Sequence, residues 1–342
     1  MAVNNLRCAV VGLGRIGWDF HIPQLLKYEG FTLSAVVDPC EERLQDAKEK
    51  LGITALFKDC SEIQDGSIDL AIISSPTPFH CQQALHFLRH GVDVFCDKPM
   101  AMSYAEAKTM ARAAEELGRR LMVYQPHRLS TATLTARAIL SSGKLGRIFK
   151  IRRAADGFTR RNDWQALSRF GGGMLFNYGA HFIDQLFYLG QDSCERAKCE
   201  LRKVLSLGDA EDVVSALITG KSGILYELSI NQANALSQAG LTLFGDMGSA
   251  MELPDGNWRL RYCKSLPDIS LESGLAAIGR QYPGENLPWQ EETMEAIPEN
   301  YGDFYIKVRE YFSEGKQPFI PIGETLEVMR TIEMCQESAR GN

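Results

Sequence analysis

At 342 residues, 45% of them hydrophobic and 23% charged, the chain is long and apolar enough for two domains of roughly 100 to 200 residues, which excludes a mini-protein or a disordered tail. Its 37 Lys and Arg against 43 Asp and Glu leave a formal net charge of −6, which argues against a general binder of nucleic acid or anionic membrane and for a small-molecule partner. Nine cysteines, an odd number with no C-x-x-C among them, read as reduced thiols of a cytoplasmic protein. Residues 1–6 lack the order of a signal peptide, and Ser229, Asn231, Gln232, Asn234, Ser237 and Gln238 break up the longest uncharged stretch, so no membrane span is expected.

Along the first third, short β-type apolar runs (7–11, 33–37, 70–73, 93–96 and 121–124) alternate with amphipathic helical patterns at 41–51, 80–90 and 104–117. Gly52, Gly91 and Gly118 follow the three helices as C-terminal stops. This is the pattern of βαβ units around a buried parallel sheet, an α/β Rossmann dinucleotide-binding domain over residues 1–126. After a helix at 131–142 the style changes. β-type runs at 148–153, 197–205, 212–219, 223–230, 240–244 and 258–262 lack regular crossover helices and predict a large, open, mainly antiparallel sheet. Helical patterns at 181–189, 301–312 and 324–337 are expected on or beside it, completing an α+β domain over 127–342. Residues 267–298, rich in Pro, Gly and acids, read as irregular connection.

The string Gly12-Leu13-Gly14-Arg15-Ile16-Gly17 directly follows the first strand. In that context Gly12 allows a tight turn, Gly14 lets backbone approach a pyrophosphate, and Gly17 lets helix and strand pack closely. Asp38 ends the second strand, where an acid accepts hydrogen bonds from the adenosine ribose and disfavours a 2′-phosphate. The expected cofactor is therefore NAD, with NADP the second choice. No metal-ligand pattern stands out.

Two further strings, Ser75-Pro76-Thr77-Pro78-Phe79-His80 and Val94-Phe95-Cys96-Asp97-Lys98-Pro99-Met100-Ala101, resemble the paired signatures of the Gfo/Idh/MocA oxidoreductases. The similarity continues through the run from Gly171-Gly172-Gly173 to Asn177-Tyr178-Gly179-Ala180-His181-Phe182-Ile183-Asp184, and through Leu243-Phe244-Gly245-Asp246-Met247-Gly248-Ser249-Ala250. The resemblance implies a sugar, inositol or related polyol as substrate and a homodimer or homotetramer built on the open sheet. It makes Lys98 the motif lysine and His181 the catalytic histidine, with Ser75, Pro76, Thr77, His80, Asp97 and Lys98 beside the cofactor. Two residues depart from the family pattern. Asp97 stands for the usual glutamate, and Asn177 for an aspartate that assists the histidine in many members.

Oxidising a secondary alcohol sends a hydride to nicotinamide and a proton to a base, and a cation near the oxygen helps. Lys98 and His181 meet those needs, His181 as the expected proton acceptor and Lys98 as the cation that polarises the oxygen or shuttles its proton; Asp184, one helical turn after His181, could supply the charge that Asn177 lacks. The Lys98–Pro99 bond is a candidate cis peptide. Tyr124, Arg128, Asp156, Arg160, Arg161, Asp163, Trp164, Asn177 and Tyr178 are the substrate-facing candidates, since polyols are held by fixed hydrogen-bond partners and aromatic faces. The expected activity is an NAD(P)-dependent dehydrogenase or reductase. An NAD-dependent redox-cycling glycosidase and a non-catalytic NAD-binding regulator are the alternatives.

Overall fold

The computed structural model describes residues 5–64, 66–271 and 285–341. Six parallel strands, β1 (Leu6–Val11), β2 (Phe31–Val37), β3 (Leu56–Phe57), β4 (Leu70–Ile73), β5 (Asp93–Cys96) and β6 (Leu121–Val123), form one sheet in the order β3-β2-β1-β4-β5-β6. The order reverses between β1 and β4, which opens a crevice at the carboxyl ends of these strands, the usual place for a ligand in such a sheet. Crossover segments carry α1 (Ile22–Lys27), α2 (Glu41–Leu51), α3 (His80–Arg89) and α4 (Tyr104–Glu116). Every residue of β4 is buried, as strands covered on both faces require.

The chain then passes through α5 (Thr131–Ser141) into an eight-stranded sheet. Its strands are β7 (Ile148–Asp156), β8 (Cys194–Arg202), β9 (Val213–Gly220), β10 (Leu225–Asn231), β11 (Leu241–Gly245), β12 (Gly248–Glu252), β13 (Trp258–Cys263) and β14 (Trp289–Met294), in the order β14-β13-β12-β11-β7-β10-β9-β8. The sheet is mixed rather than wholly antiparallel, because β7 and β10 run parallel at its centre while the other pairs are antiparallel. Strand β14 falls in the stretch read from sequence as irregular; Trp289, Gln290, Glu291 and Glu292 carry too little apolar alternation to announce a strand, and pairing with β13 supplies the order. Residues 272–284 of that stretch lie outside the described residues.

Helix α6 (Ala180–Gly190) is buried almost all round beneath this sheet, and α8 (Ile322–Arg340) runs along β8 and against α4 and α6. The helix between them in the sequence, α7 (Asp303–Phe312), does not cover the second sheet as its pattern suggested. Phe304, Tyr305, Val308 and Phe312 join Cys8, Val10, Ile72 and Phe95 in the core on one face of the first sheet. An amphipathic pattern specifies that a helix has an apolar face, and leaves open which sheet that face will meet. No helix among the described residues is long and apolar enough to cross a membrane.

Candidate active site

The glycine loop sits at the carboxyl end of β1. Gly12 has φ +95°, and a Cβ there would lie 2.7 Å from the Ser75 nitrogen; at Gly17 it would lie 2.0 Å from the Gly12 carbonyl oxygen. Both positions are forced by the chain itself. A Cβ on Gly14 would meet nothing within 4 Å, so this glycine keeps clear a space the fold does not use, which fits a pyrophosphate laid against the backbone. A π-helical turn over Gly17–His21 leads from the loop into α1. Arg15 is exposed on the loop, and Ile16 precedes the turn.

Asp38 is only 2% exposed. Its Oδ2 accepts the Leu13 N–H at 2.7 Å and its Oδ1 the Cys40 N–H at 2.9 Å, so the acid ties β2 to the glycine loop. The Arg43 guanidinium, half exposed, lies 3.3 Å from Oδ2. Asp38 thus holds the position expected of a ribose acceptor, and its charge is partnered by Arg43, a cation of the kind a 2′-phosphate needs. Sequence spacing could not disclose the Arg43 contact.

The Ser75 and Lys98 loops are braced by one side chain. His80, 1% exposed, reaches the Ser75 carbonyl with Nε2 (2.7 Å) and the Pro99 carbonyl with Nδ1 (3.0 Å). Ser75 Oγ donates to Gln83, and Pro76 precedes the short 3-10 turn Thr77–Phe79. The Lys98–Pro99 peptide is cis. Asp97 Oδ1 accepts the Lys98 N–H at 2.7 Å, which turns the acid back onto its own loop.

Lys98 Nζ donates to the Asn177 carbonyl at 2.9 Å and to Asn177 Oδ1 at 3.3 Å. Burial, partly countered by Asp97 and reinforced by Arg15 and Arg161, brings its pKa down from 10.5 to about 8. Asn177 belongs to a π-helical turn, Leu175–Gly179, that runs directly into α6 and so presents His181 to the same place. The triple glycine before it is tightly packed: a Cβ on Gly172 would lie 2.5 Å from the Gln165 carbonyl, and one on Gly173 2.3 Å from the Glu211 carboxylate.

His181 is 9% exposed. Burial first, then Lys98 and His127, hold its pKa well below the usual histidine value, so its ring is neutral. Gln125 Nε2 donates to the Ala180 carbonyl at 3.4 Å, leaving Gln125 Oε1 3.3 Å from His181 Nδ1. An acceptor there places the proton on Nδ1 and the lone pair on Nε2. The His127 ring stacks on His181 at 4.2 Å and 22°; burial, Arg153 and Lys98 lower His127 to about 4. Gln125 and His127 were not among the expected site residues, although both directly follow β6, the last strand of the nucleotide-type sheet.

Of the remaining candidates, Trp164 is 41% and Tyr178 36% exposed, the Tyr178 ring lying against Phe182. Asp163 caps the short turn Trp164–Ala166 and pairs with Arg161 at 3.1 Å. Arg128 and Tyr124 are elsewhere. Arg128 is 2% exposed and forks onto Asp184 at 2.8 and 2.6 Å, with Glu324 also 2.6 Å away. The same fork removes Asp184 from any service to His181. Tyr124 is 6% exposed in an aromatic cluster with Phe20, His21, Phe95 and Phe304.

Comparison with known proteins identifies the family and the fold. Residues 6–125 match the model of the oxidoreductase family with an NAD-binding Rossmann fold, and residues 133–251 match the GFO/IDH/MocA C-terminal domain. The chain is 26% identical to the scyllo-inositol 2-dehydrogenase (NADP(+)) IolW of Bacillus subtilis, over 99% of this chain and 95% of that protein. It is 25% identical to the D-apiose dehydrogenase of Paraburkholderia graminis, over 99% and 88%. In fold it is similar to a crystal structure of an NAD-binding protein from Listeria innocua, with a TM-score of 0.86 at 22% identity, covering 99% of this chain and 98% of that one.

Proposed function

The chain belongs to the Gfo/Idh/MocA family of NAD(P)-dependent oxidoreductases, and from that premise we propose that it moves a hydride between nicotinamide and a secondary alcohol or ketone of a sugar, inositol or related polyol, with Lys98 and His181 at the reacting oxygen. One observation carries this reading. A partly neutralised lysine from the first sheet and a neutral histidine from α6 flank Asn177, beside a glycine loop whose open space fits a dinucleotide.

When bound, nicotinamide supplies the hydride acceptor or donor. The chain's own residues manage the proton. His181, whose depressed pKa makes it the weaker base, uses the Nε2 lone pair aimed by the Gln125 contact to accept a hydrogen bond from a neighbouring substrate hydroxyl and so orients the reacting carbon. Lys98 Nζ, with a pKa near ambient pH, takes the hydroxyl proton in oxidation and returns it in reduction. As an ammonium it also stabilises negative charge developing on the oxygen. Gln125 and His127 are positioning residues for His181.

The assembly proposed is a homodimer or homotetramer through the face of the second sheet not covered by α6 and α8, where Leu217 and Met251 are 46% and 38% exposed. A cytoplasmic location is supported by nine free cysteines, seven of them buried.

The test is nicotinamide absorbance with NAD or NADP and a panel of inositols, aldoses, sugar acids and aryl glycosides. Net reduced nicotinamide with one substrate class is the expected result. Aglycone release without net reduction would replace the proposal with the redox-cycling glycosidase. Cofactor binding with no turnover across the panel would favour a regulator.

A further inference from the structure

A buried imidazole, His21, stands between the glycine loop and the lysine loop. It ends the π-helical turn Gly17–His21, which starts at the last glycine of the loop, and it is fully buried. Such turns are rare, and this one sets the His21 ring among those of Phe20, Phe95, Tyr124 and Tyr305. Nδ1 lies 2.7 Å from the Tyr305 hydroxyl, a hydrogen bond; Nε2 lies 4.0 Å from Asp97 Oδ2, too far for one. Nε2 has no hydrogen-bond partner among the described residues. Burial outweighs the nearby Asp97 and lowers the ring's pKa to about 4, so the imidazole is neutral at ambient pH.

The neighbours decide which nitrogen carries the proton. A lone pair on Nε2 would be set against the Asp97 carboxylate. The other neutral tautomer puts the proton on Nε2, facing Asp97 Oδ2, and lets Nδ1 accept the Tyr305 O–H. Asp97 is thereby addressed at both oxygens, since Oδ1 already accepts the Lys98 N–H at 2.7 Å. A buried N–H without an acceptor is costly, and closing the gap to Asp97 by about 1 Å turns it into a charge-assisted hydrogen bond. The gap separates two segments on one crevice, the glycine loop at the end of β1 and Asp97-Lys98-Pro99 at the end of β5, with β4 between them. Helix α7 supplies the third member, Tyr305, from the face on which it packs against the first sheet.

Resting on the hydride-transfer reading, we infer that His21 is a positioning residue for Lys98: dinucleotide binding at the glycine loop closes His21 Nε2 onto Asp97 Oδ2, and Asp97, held at both oxygens, fixes the backbone from which Lys98 reaches the reacting oxygen. His21 acts through Asp97 and exchanges no proton. Cofactor occupancy and lysine placement become one event. By linkage, the contact strengthens dinucleotide binding by as much as binding strengthens the contact.

The experiment compares the full chain with His21→Phe, which fills the aromatic cluster and has no donor, and with His21→Gln, which keeps an N–H. Asp97→Asn and the double variant His21→Phe/Asp97→Asn complete a cycle. His21→Phe is expected to lower NADH affinity at least about fivefold and kcat at least about tenfold, with KM for the polyol within about threefold, and His21→Gln to recover part of both losses. In the Asp97→Asn background, His21→Phe should cost no more than about twofold further. Losses that add across the two positions, or wild-type kcat and affinity in His21→Phe, would overturn the inference. With the histidine ring nitrogens isotope-labelled, the magnetic resonance signal missing from His21→Gln is expected to report a neutral ring protonated at Nε2. Its proton should move downfield as NADH saturates the protein. An unmoved proton overturns the inference, whether or not the variants fold. If no polyol reduces nicotinamide in the wild type, the hydride-transfer reading fails by itself, and NADH affinity and this resonance decide the His21–Asp97 contact without turnover.

Discussion

Lys98 Nζ lies 2.9 Å from the carbonyl oxygen of Asn177 and 3.3 Å from its side-chain oxygen, joining a loop of the first sheet to the turn that delivers His181. The partner is an amide, so the lysine gains hydrogen bonds there without a counter-charge. Burial leads the fall of its pKa to about 8. For a lysine whose pKa is depressed, the neutral base is present above that value and is lost as pH falls through it. The kcat/KM for alcohol oxidation should therefore rise with pH through about 8, and that for ketone reduction should fall over the same interval. Asn177→Asp supplies the missing charge and should move both limbs at least about one pH unit higher. Matched pH profiles of the two proteins check this; coincident limbs would contradict it.

The three glycines of the loop should separate fold from cofactor. Gly14→Ala meets nothing in the chain, so its Tm should match wild type while dinucleotide affinity drops at least about tenfold. Gly17→Ala drives a Cβ to 2.0 Å from the Gly12 carbonyl and should lower stability itself, by about 1–3 kcal/mol or more. Thermal unfolding and fluorescence titration with NADH on both variants make the comparison.

Arg43 bears on the choice between dinucleotides. It stands 3.3 Å from Asp38 Oδ2 and is half exposed. Arg43→Ala should cost NADP at least about tenfold in affinity and NAD much less, because only NADP carries the 2′-phosphate. An unchanged NADP to NAD ratio would show that the guanidinium serves Asp38 alone.

Arg128 is a brace. Removing it leaves Asp184, 1% exposed, with a buried charge and no fork. Arg128→Ala should lose on the order of 3–5 kcal/mol in urea unfolding, and Asp184→Asn in the same background should restore part of it. NAD affinity should stay within about twofold in whatever fraction remains folded.

Much of the architecture could be read from the residues, for reasons the structure makes plain. The first sheet's strands are short and largely buried, Gly52, Gly91 and Gly118 follow α2, α3 and α4, and Gly12, Gly14, Gly17 and Asp38 stand at fixed distances along the chain. What stayed hidden was long-range. Nothing local to residues 303–312 says that Phe304 and Tyr305 will pack beside Phe95 rather than under the second sheet. Nothing in the stretch 126–128 separates a substrate arginine from one paired with Asp184 and Glu324. Gln125 and His127 became visible only when folding set them against His181, because an amide and a stacked ring carry no spacing rule.

Lys98→Ala, with NAD affinity and steady-state turnover measured on one preparation, bears most directly on the proposed chemistry. The side chain is buried at the reacting oxygen's expected place and, among the described residues, holds no ion pair and makes hydrogen bonds to Asn177 alone. The expected result is turnover down by about 10²- to 10⁴-fold with the NAD dissociation constant within about twofold of wild type. Wild-type turnover in Lys98→Ala would contradict the account, since proton transfer would then have to run through another group.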